Sequence, residues 1–165
     1  MPDILLAFGG NLGDPRATID RALEQLDGHG VAIRQVSSFY RTPPWGPVPQ
    51  PDFVNSCATA ETSLAPRKLL SLTQMVERAL GRVPGERFGP RALDIDILDY
   101  DGGAVDESGL RLPHPRLTER AFVLVPLAEI APERIIAGRS IRDWAESVDR
   151  TGIVKLAPGP ESKSA

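Results

Sequence analysis

An α+β fold, one antiparallel sheet with helices packed on its faces, is what the sequence predicts, and three observations carry it. Two segments repeat apolar residues at helical spacing, and four others alternate or form short apolar runs of strand length. They follow one another as strand, helix, strand, strand, helix, strand, the split order of a ferredoxin-like sheet carrying a layer of helices. A chain of 165 residues, 41% hydrophobic and 25% charged, is also long enough to close one domain around a core.

Each element has a local cause. "DILLAF" (3–8) is an apolar run of strand length, and "GGNLGD" (9–14) is a glycine turn delivering Asp14 and Pro15 to a helix start. That helix carries Ile19, Leu23 and Leu26 at helical spacing and stops at the glycines around His29, which reads as a surface residue. "GVAIRQVSSFYRT" (30–42) alternates as a second strand, "PPWGPVPQP" (43–51) is a constrained loop, and "DFVNSCATAET" (52–62) resumes as a third strand. In "LAPRKLLSLTQMVERALG" (64–81), Pro66 fits a first turn, Leu69, Leu72, Val76 and Leu80 share a face, and Gly81 is the stop. "ALDIDILDY" (92–100) is the fourth strand. A short strand, a turn and a helix from about Glu119 follow, then a helix near 141–148 and a short strand in "IVKLA" (153–157).

A net charge of −3 and a pI near 5.4 argue against a protein that coats a nucleic-acid backbone, so an anion must meet a local basic cluster. The single Cys57 has no partner for an intramolecular disulfide and reads as a small buried thiol. The apolar part of "MPDILLAFGG" is too short for a signal peptide, and no later segment is long and apolar enough to span a membrane, so a cytoplasmic protein is expected.

The chemistry concentrates in "RFGPRALDIDIL" (87–98). Residues two apart on a strand share a face, so Asp94 and Asp96 project together while Ile95 and Ile97 turn to the core. Paired carboxylates suit a hard divalent cation held against polyphosphate, and Arg82, Arg87 and Arg91 nearby suit bidentate phosphate binding. A polar edge strand whose aspartates simply pair with those arginines is the competing explanation. In "RTPPWGPVPQPDFVN" (41–55), Trp45, Phe53 and the Asn55 amide offer a stacking slot with a donor and an acceptor; Phe53 as core and Trp45 as loop cover is the alternative. In "LPHPRLTERAF" (112–122), His114 is fixed between prolines, and Arg120 at a helix start opposes the dipole unless it answers an anion.

The same stretch, "RFGPRALDIDIL", resembles the signature of the 6-hydroxymethyl-7,8-dihydropterin pyrophosphokinase family of folate biosynthesis. "SSFYRTPPWGP" (37–47), "QPDFVN" (50–55) and "PHPRLTERAFVLVPLAEIAP" (113–132) resemble it at matching places, from about Leu5 to Pro132. The resemblance implies a ferredoxin-like α/β sandwich that transfers the pyrophosphoryl group of ATP to the pterin hydroxymethyl oxygen, releasing AMP. It implies Arg82, Arg91, Asp94 and Asp96 as catalytic residues, the two aspartates holding two Mg2+ ions, and ATP as co-substrate. Gln74, Glu77, Phe88, Ile97, His114, Pro115 and Arg120 would line the ATP site. Thr42, Pro43, Trp45, Phe53, Asn55 and Phe122 would form the pterin slot, with Phe53 and Phe122 on opposite faces of the ring. Pro84 stands where some relatives carry a second arginine, Phe88 where tryptophan is common, and Gly10 where serine is frequent. One catalytic domain over 1–158, a flexible tail over 159–165, a monomer, and no nucleic-acid or membrane partner complete the expectations. A non-catalytic ferredoxin-like module binding a small ligand or nucleic acid is the alternative, and metal-dependent AMP formation separates the two.

Overall fold

A computed structural model describes residues 1–44, 46–81 and 90–158 of the chain. In chain order the elements are β1 (Asp3–Gly10), α1 (Pro15–Asp27), β2 (Val31–Val36), β3 (Tyr40–Thr42), β4 (Phe53–Thr62), α2 (Pro66–Ala79), β5 (Asp94–Tyr100), β6 (Val105–Glu107), β7 (Leu110–Leu112), α3 (Ala121–Ile130), β8 (Ile135–Ile136), β9 (Arg139–Ser140), α4 (Ile141–Ser147) and β10 (Val154–Lys155). The main sheet runs β10-β3-β4-β1-β5, with β2 also on β4, and every pairing is antiparallel. Counting β2 and β3 as one strand, this is the expected ferredoxin-like order.

The alternating segment 30–42 is not continuous. β2 covers Ala58 to Thr62 of β4 and β3 covers Phe53 to Asn55 of the same strand. Between them Ser37 takes over: its N–H donates to the Cys57 carbonyl at 2.8 Å, and its Oγ accepts from the Cys57 N–H at 2.9 Å. A side-chain oxygen replaces a backbone partner, and the chain gains the extra residue that separates the strands.

Helices occupy both faces of the sheet. On one, Ile4, Leu6 and Phe8 of β1 and Ile95 and Ile97 of β5 pack with Ile19 and Leu26 of α1 and Leu69 and Val76 of α2. The helices present these residues three or four positions apart, as an amphipathic helix must. Asp14 caps α1 by accepting from the Ala17 N–H, and proline opens both helices. On the other face Leu5, Ala7, Cys57 and Leu98 meet Leu124 and Leu127 of α3 and Ile141 of α4. Cys57 is buried there, and burial pushes its thiol well above the ordinary range, as suits a packed side chain rather than a nucleophile. Glu129 pins the α3 end to β3, accepting from Ser38 N–H and Oγ–H and from the Tyr40 hydroxyl at 2.7 Å.

Two features escape sequence periodicity. The β8–β9 hairpin has strands of two residues, too short for alternation to register. Asp99, fully buried on β5, faces Arg134 Nη2 at 3.5 Å and accepts from the Gly102 N–H, while its Oδ1 has no hydrogen-bond partner. Residues 159–165 lie outside the described residues.

Candidate active site

The face of the sheet that carries α3 is left open toward one end, and strand register determines what lies there. Asn55 of β4, Gly9 of β1 and Asp94 of β5 stand in one row across three strands; Cys57, Ala7 and Asp96 form the next. Asn55 and Asp94 are therefore two strand spacings apart, about 10 Å between backbones. Gly9 lies between them and Ala7 between Cys57 and Asp96, so the middle of the floor carries almost no side-chain bulk. A Cβ on Gly9 would come within 2.4 Å of Asn55 Oδ1, which explains why the central position is bare.

Asp94 and Asp96 project onto this face as alternation requires, and each meets an arginine from a different segment. Arg91 Nε lies 3.8 Å from Asp94 Oδ1, and Arg120 Nη1, just ahead of α3, lies 3.7 Å from Asp96 Oδ2. Both separations are longer than hydrogen bonds, so these two contacts are charge pairs rather than hydrogen bonds. Arg120 Nε is buried without a hydrogen-bond partner, and burial lowers its basicity against the pull of Asp96. A buried cation with an unused donor is a place for an anion. His114 accepts from the Arg116 N–H through Nδ1 at 3.2 Å, so in the neutral ring Nε2 carries the proton as a donor. Burial lowers the His114 pKa; nearby Asp96 opposes this, while Arg120 and Arg116 add to it, so the neutral ring is favoured.

One row away, the Asn55 side-chain N–H donates to Thr42 Oγ1 at 2.6 Å, and both residues are buried. Half-buried Phe53 precedes on the same face of β4, and half-buried Phe122 comes from the first turn of α3, beneath which Arg120 lies 5.6 Å from its ring. Pro43 is exposed at the start of the proline-rich loop. An amide with a second donor and an acceptor, beside two aromatic rings, can recognise a flat heterocycle.

The profile of the 7,8-dihydro-6-hydroxymethylpterin-pyrophosphokinase (HPPK) family matches residues 5–132. The chain belongs to this family. It is 44% identical over 152 residues to the 2-amino-4-hydroxy-6-hydroxymethyldihydropteridine pyrophosphokinase of Methylorubrum extorquens, covering 92% of this chain and 96% of that protein. The protein of the same name from Pseudomonas aeruginosa is 40% identical over 158 residues, covering 94% and 97%. Among solved structures, the wild-type Plasmodium falciparum HPPK-DHPS chain superposes with a TM-score of 0.67 at 15% identity. That match covers 88% of this chain and 43% of the Plasmodium chain, and it shows the shared fold.

Against the HPPK family pattern, the structure distributes the remaining residues as follows. Asp96, Ile97, His114 and Pro115 line a cavity of about 650 Å3 between β5, the β6–β7 hairpin and Leu70 of α2. Gln74 is exposed on α2, one turn beyond Leu70. Glu77 reaches backbone instead of an open surface: its buried carboxylate accepts from the Ile95 N–H at 2.7 Å, between the two aspartates, and so fixes the strand that presents them. Trp45, Arg82 and Phe88, with Pro84 and Arg87, lie outside the described residues. Asn11 was not anticipated; a polar residue directly after two strand-end glycines was the available signal. Gly10 turns out to sit against the Arg91 segment, where a Cβ would meet the Ala92 carbonyl oxygen at 2.4 Å.

Proposed function

We propose that this chain performs the reaction its family is named for, moving the β,γ-pyrophosphoryl group of ATP to the hydroxymethyl oxygen of 6-hydroxymethyl-7,8-dihydropterin and releasing AMP. The observation that carries the proposal is the two-row floor. Carboxylates flanked by arginines from separate segments stand about 10 Å from an asparagine–threonine pair, with only Gly9 and Ala7 between. Pterin over Asn55 and phosphates over Asp94 and Asp96 would place the hydroxymethyl group toward the transferring phosphorus.

Asp94 and Asp96 suit magnesium by their chemistry. They supply hard oxygen donors, their side chains are 36% and 43% exposed, and among the described residues no group of three or more His, Cys, Asp or Glu makes a ready cage. Two carboxylates with phosphate and water oxygens completing the shell is a magnesium pattern, and the pair has room for two ions. Bound there, magnesium would neutralise phosphate charge and help align the attacking and leaving oxygens.

The chain's own residues account for the rest. Arg91 and Arg120 reach the phosphate oxygens and balance charge as the bond to AMP breaks. Neutral His114 donates to a phosphate oxygen without adding a charge. Ile97 and Pro115 give the nucleotide an apolar wall, with Gln74 at its mouth. Thr42 and Asn55 read the pterin amide edge, and Phe53 and Phe122 stack on its two faces. Positioning supplies most of the rate, so no strong base is needed. ATP and the pterin are the partners in this scheme, which works as a monomer in the cytoplasm.

Nucleotide analysis tests the reaction. The protein with ATP, magnesium and 6-hydroxymethyl-7,8-dihydropterin should produce AMP and pterin diphosphate in step, and neither product when any component is omitted. ADP in place of AMP, or no nucleotide change, would overturn the assignment. Gly9→Ala tests the floor: its Cβ displaces the Asn55 amide, so the pterin KM should rise about tenfold with the ATP KM within about twofold. An unchanged pterin KM would remove Asn55 from the slot.

A further inference from the structure

The end of β1, Gly9-Gly10-Asn11, is wedged between the two halves of the site. We propose that Asn11 is a positioning residue that locks the proline-rich loop and the Arg91 segment into one frame. The pterin slot and the phosphate clamp then face each other at a fixed separation. This rests on the proposed reaction for its kinetic consequences, and on hydrogen bonding alone for its geometry.

Asn11 is 6% exposed, so its amide must find partners in the protein. Its Nδ2 donates to Gln50 Oε1 and to the Pro51 carbonyl, both at 2.9 Å. Its Oδ1 accepts from the Arg91 N–H at 2.9 Å, and its own N–H donates to the Arg91 carbonyl at 2.9 Å. The amide orientation follows from chemistry: a carbonyl can only accept and a backbone N–H can only donate, so exchanging O and N would break both backbone contacts. Aspartate would lack the donors, and glutamine would be a methylene too long. Gly10 permits the approach, since a Cβ there would also come within 3.4 Å of the Arg91 carbonyl oxygen.

What Asn11 holds is close to the chemistry on both sides. Pro51 precedes Phe53 by two residues and Asn55 by four, while Arg91 carries a clamp guanidinium and precedes Asp94 by three. One side chain therefore sets the entry of β4 and the entry of β5 at once. Asn11 acts through these segments and needs no contact with either substrate.

Two variants of the full chain separate the two attachments, read by steady-state kinetics and by amide hydrogen exchange at Arg91. Asn11→Asp keeps the acceptor for Arg91 but loses both donors and sets a carboxylate against two oxygen atoms. It should raise the pterin KM about tenfold, hold the ATP KM within about twofold, and retain protection at Arg91. Asn11→Ala loses every side-chain attachment and keeps only its backbone N–H to the Arg91 carbonyl, so it should raise the pterin KM similarly, lower kcat about tenfold more, and speed exchange of the unprotected Arg91 N–H about tenfold. Wild-type KM values in both variants would overturn the proposal. So would equal loss of Arg91 protection in both, or losses of kcat and both KM values that merely follow the melting temperature. The wild type run alongside keeps the two questions apart. Failure to form AMP overturns the reaction, while the Arg91 exchange pattern still decides whether Asn11 holds that segment.

Discussion

Asp96→Ala should lower turnover roughly a thousandfold while changing pterin affinity less than about threefold. The asymmetry follows from position. Asp96 stands in the row behind Asn55, beside Arg120 and lining the cavity, so in the proposed reaction its removal acts on phosphates and their counter-ions. The proposed pterin contacts at Thr42, Asn55 and Phe53 belong to other strands and should keep their geometry. A loss of several kcal/mol of charge stabilisation in the transition state gives the stated factor at about 1.4 kcal/mol per tenfold. Asp94→Ala should behave alike, because the two carboxylates share one face. Asp96→Asn distinguishes charge from shape: it fills the same volume with one neutral oxygen and should stay nearly as impaired. Single-turnover AMP formation with pterin binding measured in parallel checks this, and near-normal turnover of either alanine variant would remove the metal assignment.

How much of this was legible in the sequence depended on whether a residue's role was local. The helices were legible because Leu69 and Val76 repeat at helical spacing, and β5 because Ile95 and Ile97 alternate with Asp94 and Asp96. That alternation also placed both carboxylates on one face. Strand register was not legible, since it depends on pairings between positions some forty to ninety residues apart. The floor formed by Asn55, Gly9 and Asp94 therefore appears only in the fold. The division of 30–42 was hidden for a related reason: Ser37 looks like any strand serine until Cys57 is beside it. The hydrogen bond from the Ile95 N–H to Glu77 was hidden in the same way, since it joins a helix to a strand eighteen residues on. Arginine–aspartate pairing was one of two explanations for the signature stretch. The structure shows Arg91 with Asp94 at 3.8 Å, a charge contact longer than a hydrogen bond, and pairs Asp96 at 3.7 Å with Arg120 from outside that stretch.

Arg134→Ala should cost about 3 kcal/mol of stability, a large share of the roughly 5–15 kcal/mol available to a domain. Asp99 is 0% exposed, so its carboxylate cannot recover water when its partner is removed. With Arg134 present, Oδ2 has a cation at 3.5 Å and the Gly102 N–H at 3.0 Å, while Oδ1 already lacks a hydrogen bond. Deleting the guanidinium leaves one N–H to answer a buried charge. The side chain of Arg134 is 28% exposed, so water screens part of the pair and the lower end of the range for broken buried pairs applies. The double variant Asp99→Asn with Arg134→Ala separates the lost attraction from the stranded charge. If the stranded carboxylate dominates, the double variant should recover more than half of the loss, and the two substitutions will be strongly non-additive. Urea unfolding of the wild type, both single variants and the double variant completes the cycle. A midpoint for Arg134→Ala indistinguishable from wild type would mean that Asp99 does not need the cation, and that the turn through Gly102 satisfies it alone.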